Sequence, residues 1–184
     1  MIYTKGMKYI GITGQLLSGK STASKFLEEN FNAELFHISR FLGSLLELLD
    51  LEKNRKNLQD LGLFIKETYA QNILVKTALE YSKDSKADIY LMDGLRNKDD
   101  ILALKEMPDA KIIYIKAKPE LRYTRMLERD EKTGEKQLSF EEFLESEKHD
   151  VDSQLLELEK YADVVIDNNG TKEELEKELR KALL

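Results

Sequence analysis

Lys20 and Ser21 close a run, Gly14-Gln15-Leu16-Leu17-Ser18-Gly19-Lys20-Ser21, that fits G-x-x-x-x-G-K-[ST] at every fixed position. Each fixed residue has a chemical reason. The glycines let the backbone fold around an anion with its N–H groups turned inward. The lysine brings a point positive charge to β and γ phosphates, and the hydroxyl is a hard oxygen ligand for Mg2+. That chemistry is nucleoside triphosphate binding, with ATP and Mg2+ as the expected cofactors. The expected nucleotide-binding residues are Gly14, Gln15, Ser18, Gly19, Lys20, Ser21 and Thr22, with Ser21 also on the metal. Such a loop must leave a strand and enter a helix whose positive end adds to the field. Both flanks comply. Tyr9 to Thr13 reads as a short buried strand, and Ser21 to Glu29 as a helix with Ala23, Phe26 and Leu27 on one side.

A carboxylate and several guanidinium groups fall where the same chemistry would use them. Asp93 ends the apolar run Ile89-Tyr90-Leu91-Met92, so it should emerge at a strand's carboxyl edge. There it would hold Mg2+ or orient the attacking oxygen, or else cap a helix. The chain has 22 lysines and seven arginines, so each arginine is informative. Arg40, Arg55, Arg96, Arg122, Arg125 and Arg129 cluster after strands or in the two long insertions, and only Arg180 lies in the terminal helix. Guanidinium groups grip phosphates through paired hydrogen bonds. The competing use of these arginines is surface pairing with Glu120, Glu128, Asp130 or Glu131. His37 ends the second strand, where it would accept a proton from an acceptor or hydrogen-bond to backbone. Ser39 would touch the acceptor or cap a helix beginning near Arg40.

Four further apolar runs alternate with helical stretches: Glu34 to His37, Asp88 to Asp93, Lys111 to Lys116 and Asp163 to Ile166. Alternation of this kind implies α/β architecture, a parallel sheet wrapped on both faces. Two intervals exceed a simple crossover. Residues 39–83 carry helical pattern from Phe41 to Lys83, and residues 122–160 carry basic residues and then an acidic helix, Phe140 to Lys160, with Phe140, Phe143, Leu155 and Leu158 facing inward. The expected plan is one domain of 1–184, with a core of 7–38, 84–121 and 161–184.

Composition narrows the function classes. At 184 residues, 41% hydrophobic and 35% charged, the chain is globular and long enough for a full core. The absence of cysteine excludes disulfides and thiolate metal sites, and two histidines far apart, His37 and His149, argue against a zinc site. A formal charge of −6 argues against broad nucleic-acid binding. No apolar run reaches the roughly twenty residues of a membrane span, so the cytoplasm is the expected location; the partner expected from the phosphate-binding motifs and the kinase resemblance that follows is a small-molecule phosphoryl acceptor.

Taken together these motifs resemble the nucleoside monophosphate kinase group of P-loop kinases, most of all dephospho-coenzyme A kinases and phage deoxynucleoside monophosphate kinases. The resemblance rests on Ile10-Gly11-Ile12-Thr13-Gly14 through Gly19-Lys20-Ser21-Thr22, on Asp93-Gly94-Leu95-Arg96, and on Ala162 through Asn168-Asn169-Gly170-Thr171. It implies a P-loop three-layer sandwich, with a five-stranded parallel sheet in order 2-3-1-4-5, and insertions that act as acceptor-binding helices and lid. It further implies that Asp93 serves the metal, Arg96 and Arg55 the acceptor's phosphate, Arg125 and Arg129 the lid's closure on ATP, and Asn168 and Gly170 the adenine. Catalytic roles thus fall to Lys20, Asp93, Arg125 and Arg129, and acceptor binding to His37, Ser39, Arg40, Arg55 and Arg96. One departure concerns the acceptor. Dephospho-coenzyme A kinases follow strand two with Asp-x-Asp, where this chain reads His37-Ile38-Ser39. A competing class is a nucleotide-binding switch or partner-binding module that has lost turnover, whereas short length and lack of repeats disfavour a motor-type ATPase.

Overall fold

The computed structural model describes residues 6–133, 138–146 and 155–183, apart from the side chains of 129–133 and 146. Strands β1 (Lys8–Gly14), β2 (Ala33–His37), β3 (Ile89–Asp93), β4 (Lys111–Lys116) and β5 (Val164–Asp167) form one sheet in the order β2-β3-β1-β4-β5. Every pairing is parallel, with Ile12 beside Asp93, Gly14 beside Ile115 and His37 beside Asp93. The expected strand order is therefore met.

Side-chain alternation along the strands explains the two covered faces. Tyr9, Tyr90, Met92, Ile112 and Tyr114 point to one face, where they meet Leu42, Leu74, Val75 and Leu104 from helices α2 (Ile38–Leu48), α4 (Ile73–Tyr81) and α5 (Lys98–Lys105). Their neighbours Ile10, Ile12, Leu91, Ile113 and Ile115 point the other way, onto Phe26 and Leu27 of α1 (Lys20–Asn30) and Leu175 and Leu179 of the terminal helix. Burying each such aliphatic side chain contributes about 1.5–3 kcal/mol. The terminal helix, Lys172–Leu183, is numbered α8 below. Thr171 and Glu174 close its start reciprocally as a capping box. On its solvated face Arg180 stacks over the Phe26 and Phe31 rings, at 4.9 and 5.6 Å.

The first insertion is three helices, not one pattern. Helix α2 starts at Ile38 directly from β2, with His37 at the N-cap and no side-chain cap. Ser39 thus lies inside the first turn and does not cap a helix beginning near Arg40. The helix stops where Asp50 turns left-handed (φ 56°) and Leu51 N–H returns to the Leu46 carbonyl at 2.9 Å. Helix α3 (Arg55–Thr68) then starts from Asn54, whose side chain accepts the Asn57 N–H at 2.8 Å.

In the second insertion, α6 runs over Pro119–Thr133 and α7 over Phe140–Ser146. The expected helix Phe140 to Lys160 does not run on to its predicted end. Residues 147–154 lie outside the described set, and after a helical 155–157 the chain tightens into a 3-10 turn over Leu158–Tyr161. Phe143, Leu155 and Leu158 are buried as their spacing requires. Among the described residues no helix is long and apolar enough to cross a membrane.

Candidate functional site

Two glycines make the Gly14–Ser21 loop possible. Gly14 has φ 135°, and a Cβ there would stand 2.0 Å from the Ile115 carbonyl oxygen. Gly19 has φ 107° and would drive a Cβ into the Asn168 amide at 2.2 Å. No other residue fits either place. Gly19 is also the N-cap of α1, with no side-chain cap and no acid in the first turn, so that helix end presents its positive pole undiminished. Lys20 rests inside the loop, donating to the Gly14 carbonyl at 2.9 Å and the Gln15 carbonyl at 2.6 Å. Ser21 and Thr22 are exposed in the first helical turn. The Ser18 hydroxyl is fully buried and has no hydrogen-bond partner among the described residues.

The loop's outer carbonyls are also held. Arg122 Nη1 donates to Leu16 O at 3.4 Å, Arg125 Nη1 to Leu17 O at 3.2 Å, and Asn168 Nδ2 to Ser18 O at 2.8 Å. Arg125, expected as a lid arginine closing on the transferred group, instead bridges Leu17 O and Asn168 O with its two terminal nitrogens. Burial lowers its guanidinium below the ordinary value, and Glu128 opposes that shift. Asn168, expected at the adenine, spends its amide on the loop. Arg122 is almost wholly buried rather than displayed to a ligand, because its guanidinium lies over the Phe143 ring at 5.6 Å and its Nε donates to Ala117 O at 3.0 Å. The side chain of Arg129 lies outside the described residues.

Beside the loop, β1 and β3 bring the Asp93 turn into register. Thr13, buried, donates its hydroxyl to Leu95 O at 2.9 Å. Gly94 (φ 103°) approaches Ile38 closely, and the Arg96 N–H is taken by Asp100 Oδ2 at 2.9 Å. Asp93 does not cap α5, since Asn97 does so by accepting the Asp100 N–H. It faces His37 instead, with Nδ1 to Oδ2 at 3.3 Å and each side chain 13% exposed. The histidine is therefore oriented by a carboxylate and not by backbone. Ser21 and Asp93 supply hard oxygens of the kind Mg2+ accepts when phosphates and water complete its shell, so the residues fit that ion. Among the described residues no three His, Cys, Asp or Glu side chains gather into a protein-only metal cage.

The remaining acceptor candidates are spread out. Ser39 and Arg40 are exposed in the first turn of α2, Arg55 is exposed at the start of α3, and Gly170 is exposed before α8. Arg96 is half-buried, and it does not line the cavity of about 580 Å3 formed by its neighbours Asn97, Lys98 and Asp99 with Gln71, Glu157, Leu158 and Tyr161. Sequence reading missed Asp100. It is fully buried, and its Oδ2 also receives the Lys66 ammonium of α3 at 2.7 Å. The pair ties the first insertion to the Asp93 turn across 34 positions, and no local pattern announces it.

Comparison with known proteins agrees with this fold. A UPF0200 protein of Sulfurisphaera tokodaii is 28% identical over 177 residues, 96% of each chain. Another from Saccharolobus solfataricus is 25% identical over 173 residues, covering 93% of this chain and 89% of the relative. A Thermus thermophilus structure superposes with TM-score 0.66 at 22% identity over 97% of each chain. Shikimate kinase from Aquifex aeolicus does so with TM-score 0.54 at 15% identity over 95% of each. The fold is that of P-loop kinases, and the family model described as AAA domain (AAA_18) matches residues 10–152, so the chain belongs to that family.

Proposed function

We propose that this protein is an ATP- and Mg2+-dependent kinase that transfers the γ-phosphoryl group to a nucleotide or nucleotide-like small metabolite. The observation that carries the reading is the junction of β1, glycine loop and uncapped α1, with Lys20 inside the loop and Asp93 one strand away. In this reading 39–83 binds the acceptor and 122–160 is the lid of a single domain. Backbone N–H groups of Gly14 to Lys20 hold phosphate oxygens, Lys20 balances charge as it builds on the transferred group, and Arg129 joins it from the lid. Bound Mg2+, held by Ser21 and Asp93, would neutralise the β and γ oxygens and fix their geometry. A sugar kinase from Janibacter among the structural neighbours supports small-molecule phosphoryl transfer.

The His37–Asp93 contact favours one acceptor class over another. A hydroxyl acceptor, as in dephospho-coenzyme A, must lose a proton as it attacks, and an imidazole oriented by a carboxylate can hydrogen-bond that hydroxyl. An anionic monophosphate acceptor needs no such partner.

Measuring ADP formation from Mg·ATP across nucleoside and deoxynucleoside monophosphates and dephospho-coenzyme A tests the proposal. Stimulation by one acceptor, lost in Lys20→Ala, is the expected result and names the substrate class. Tight ATP binding without stimulation by any of them would favour a nucleotide-gated binding module instead.

A further inference from the structure

Three side chains from distant parts of the sequence take three consecutive carbonyls of the glycine loop. Arg122, Arg125 and Asn168 receive one each, on Leu16, Leu17 and Ser18. These contacts form a continuous network. Arg125 also reaches Asn168 O at 3.1 Å, and the Asn168 N–H is fixed to Lys116 O at 2.8 Å, so the end of β4, the exit of β5 and helix α6 are joined behind the loop. Phe143 of α7, 1% exposed, covers Arg122. Tyr123 extends the contact, with its ring 5.8 Å from Phe143 and its hydroxyl donating to Leu138 O at 2.9 Å.

A guanidinium this deeply buried is costly unless its donors are used, and among the donors of Arg122 are Nε on Ala117 O and Nη1 on the loop carbonyl of Leu16. In a trans peptide the C=O and N–H point in opposite directions. Drawing the carbonyls of 16–18 back toward α6 therefore turns the N–H groups of 17–19 the other way, into the concave side; that of Ser18 also makes a 3.3 Å turn contact with Gln15 O. We infer that Arg122, Arg125 and Asn168 are positioning residues for nucleotide binding, which set the shape of the phosphate loop from behind without touching the nucleotide. The inference rests on the nucleotide-binding reading above.

Two variants preserve packing while removing the grip. Asn168→Asp keeps the shape and loses the donor, and Arg125→Lys keeps the charge but cannot span Leu17 O and Asn168 O. Two readouts separate the claims: amide hydrogen exchange in the nucleotide-free protein, and calorimetric titration with Mg·ADP. Exchange at residues 16–19 should accelerate about tenfold in either variant while the β1 and β4 amides stay protected, and Mg·ADP affinity should fall roughly tenfold. Wild-type exchange and wild-type affinity in both folded variants would overturn the inference. If the wild-type chain does not bind Mg·ADP, the nucleotide reading and the positioning role fail together; the exchange data then still report whether the network holds the loop.

Discussion

The glycine loop and the first insertion both leave the carboxyl end of a strand, β1 and β2 respectively, yet they are held by opposite means. In the loop, the carbonyls of residues 14 to 18 all have donors. In the insertion, α3 buries only Gly62, and Leu48, Leu49, Leu63, Phe64 and Tyr69 stand more than half exposed. What fastens α3 polarly to the Asp93 turn is the Lys66–Asp100 pair. The difference is physical. On the function proposed above, a loop that presents N–H groups to an anion cannot be left to fluctuate, whereas helices that surround a variable acceptor need only a hinge and a strap.

Substitutions can break this comparison or sharpen it. Lys20→Ala should reduce phosphoryl transfer roughly a thousandfold or more, with the protein still folded, because the two carbonyls that the side chain reaches at 2.9 and 2.6 Å belong to the loop and not to the core; steady-state ADP release and thermal melting measure the two effects. Lys66→Met should cost about 3 kcal/mol in urea unfolding, since it leaves the buried Asp100 carboxylate with only the Arg96 N–H on Oδ2. A loss near zero would mean that α3 is not held by this pair. Asn54→Ala removes the cap of α3 and should cost about 1 kcal/mol in the same assay. At the small end, Phe64→Ser on the exposed face of α3 should change stability by about 0.5 kcal/mol or less. A larger loss would show that this face is covered in the folded protein.

The loop half of the molecule was legible because its signals are local. Gly14, Gly19, Lys20 and Ser21 occupy fixed spacings, and burial on both faces of the sheet makes β1, β3 and β4 plain apolar runs; the sheet order followed from family resemblance and agrees with the structure. The insertion was less legible for equally definite reasons. Asp50 ends α2 in a left-handed conformation without the glycine that usually marks one, so the break between α2 and α3 leaves no sign. Arg122 looks like a phosphate ligand in sequence and is a buried donor in the fold, because the aromatic group that covers it lies 21 positions away, in α7. Asp100 looks like the ordinary acid of a first helical turn, and only tertiary structure brings Lys66 to it. His37 and Asp93 were each singled out, but their contact depends on β2 pairing with β3 in a register that no single strand specifies.

The resting place of Lys20 has a consequence for how binding energy is read. Its ammonium lies on two backbone dipoles, and a phosphate must take it from them. The affinity measured for any anion is therefore an exchange quantity, the strength of the new contact minus that of the two carbonyl contacts given up. On the nucleotide-binding reading proposed above, weakly charged anions would gain little from such an exchange and a polyphosphate much, so the loop would discriminate among anions by charge density before any base or acceptor is recognised.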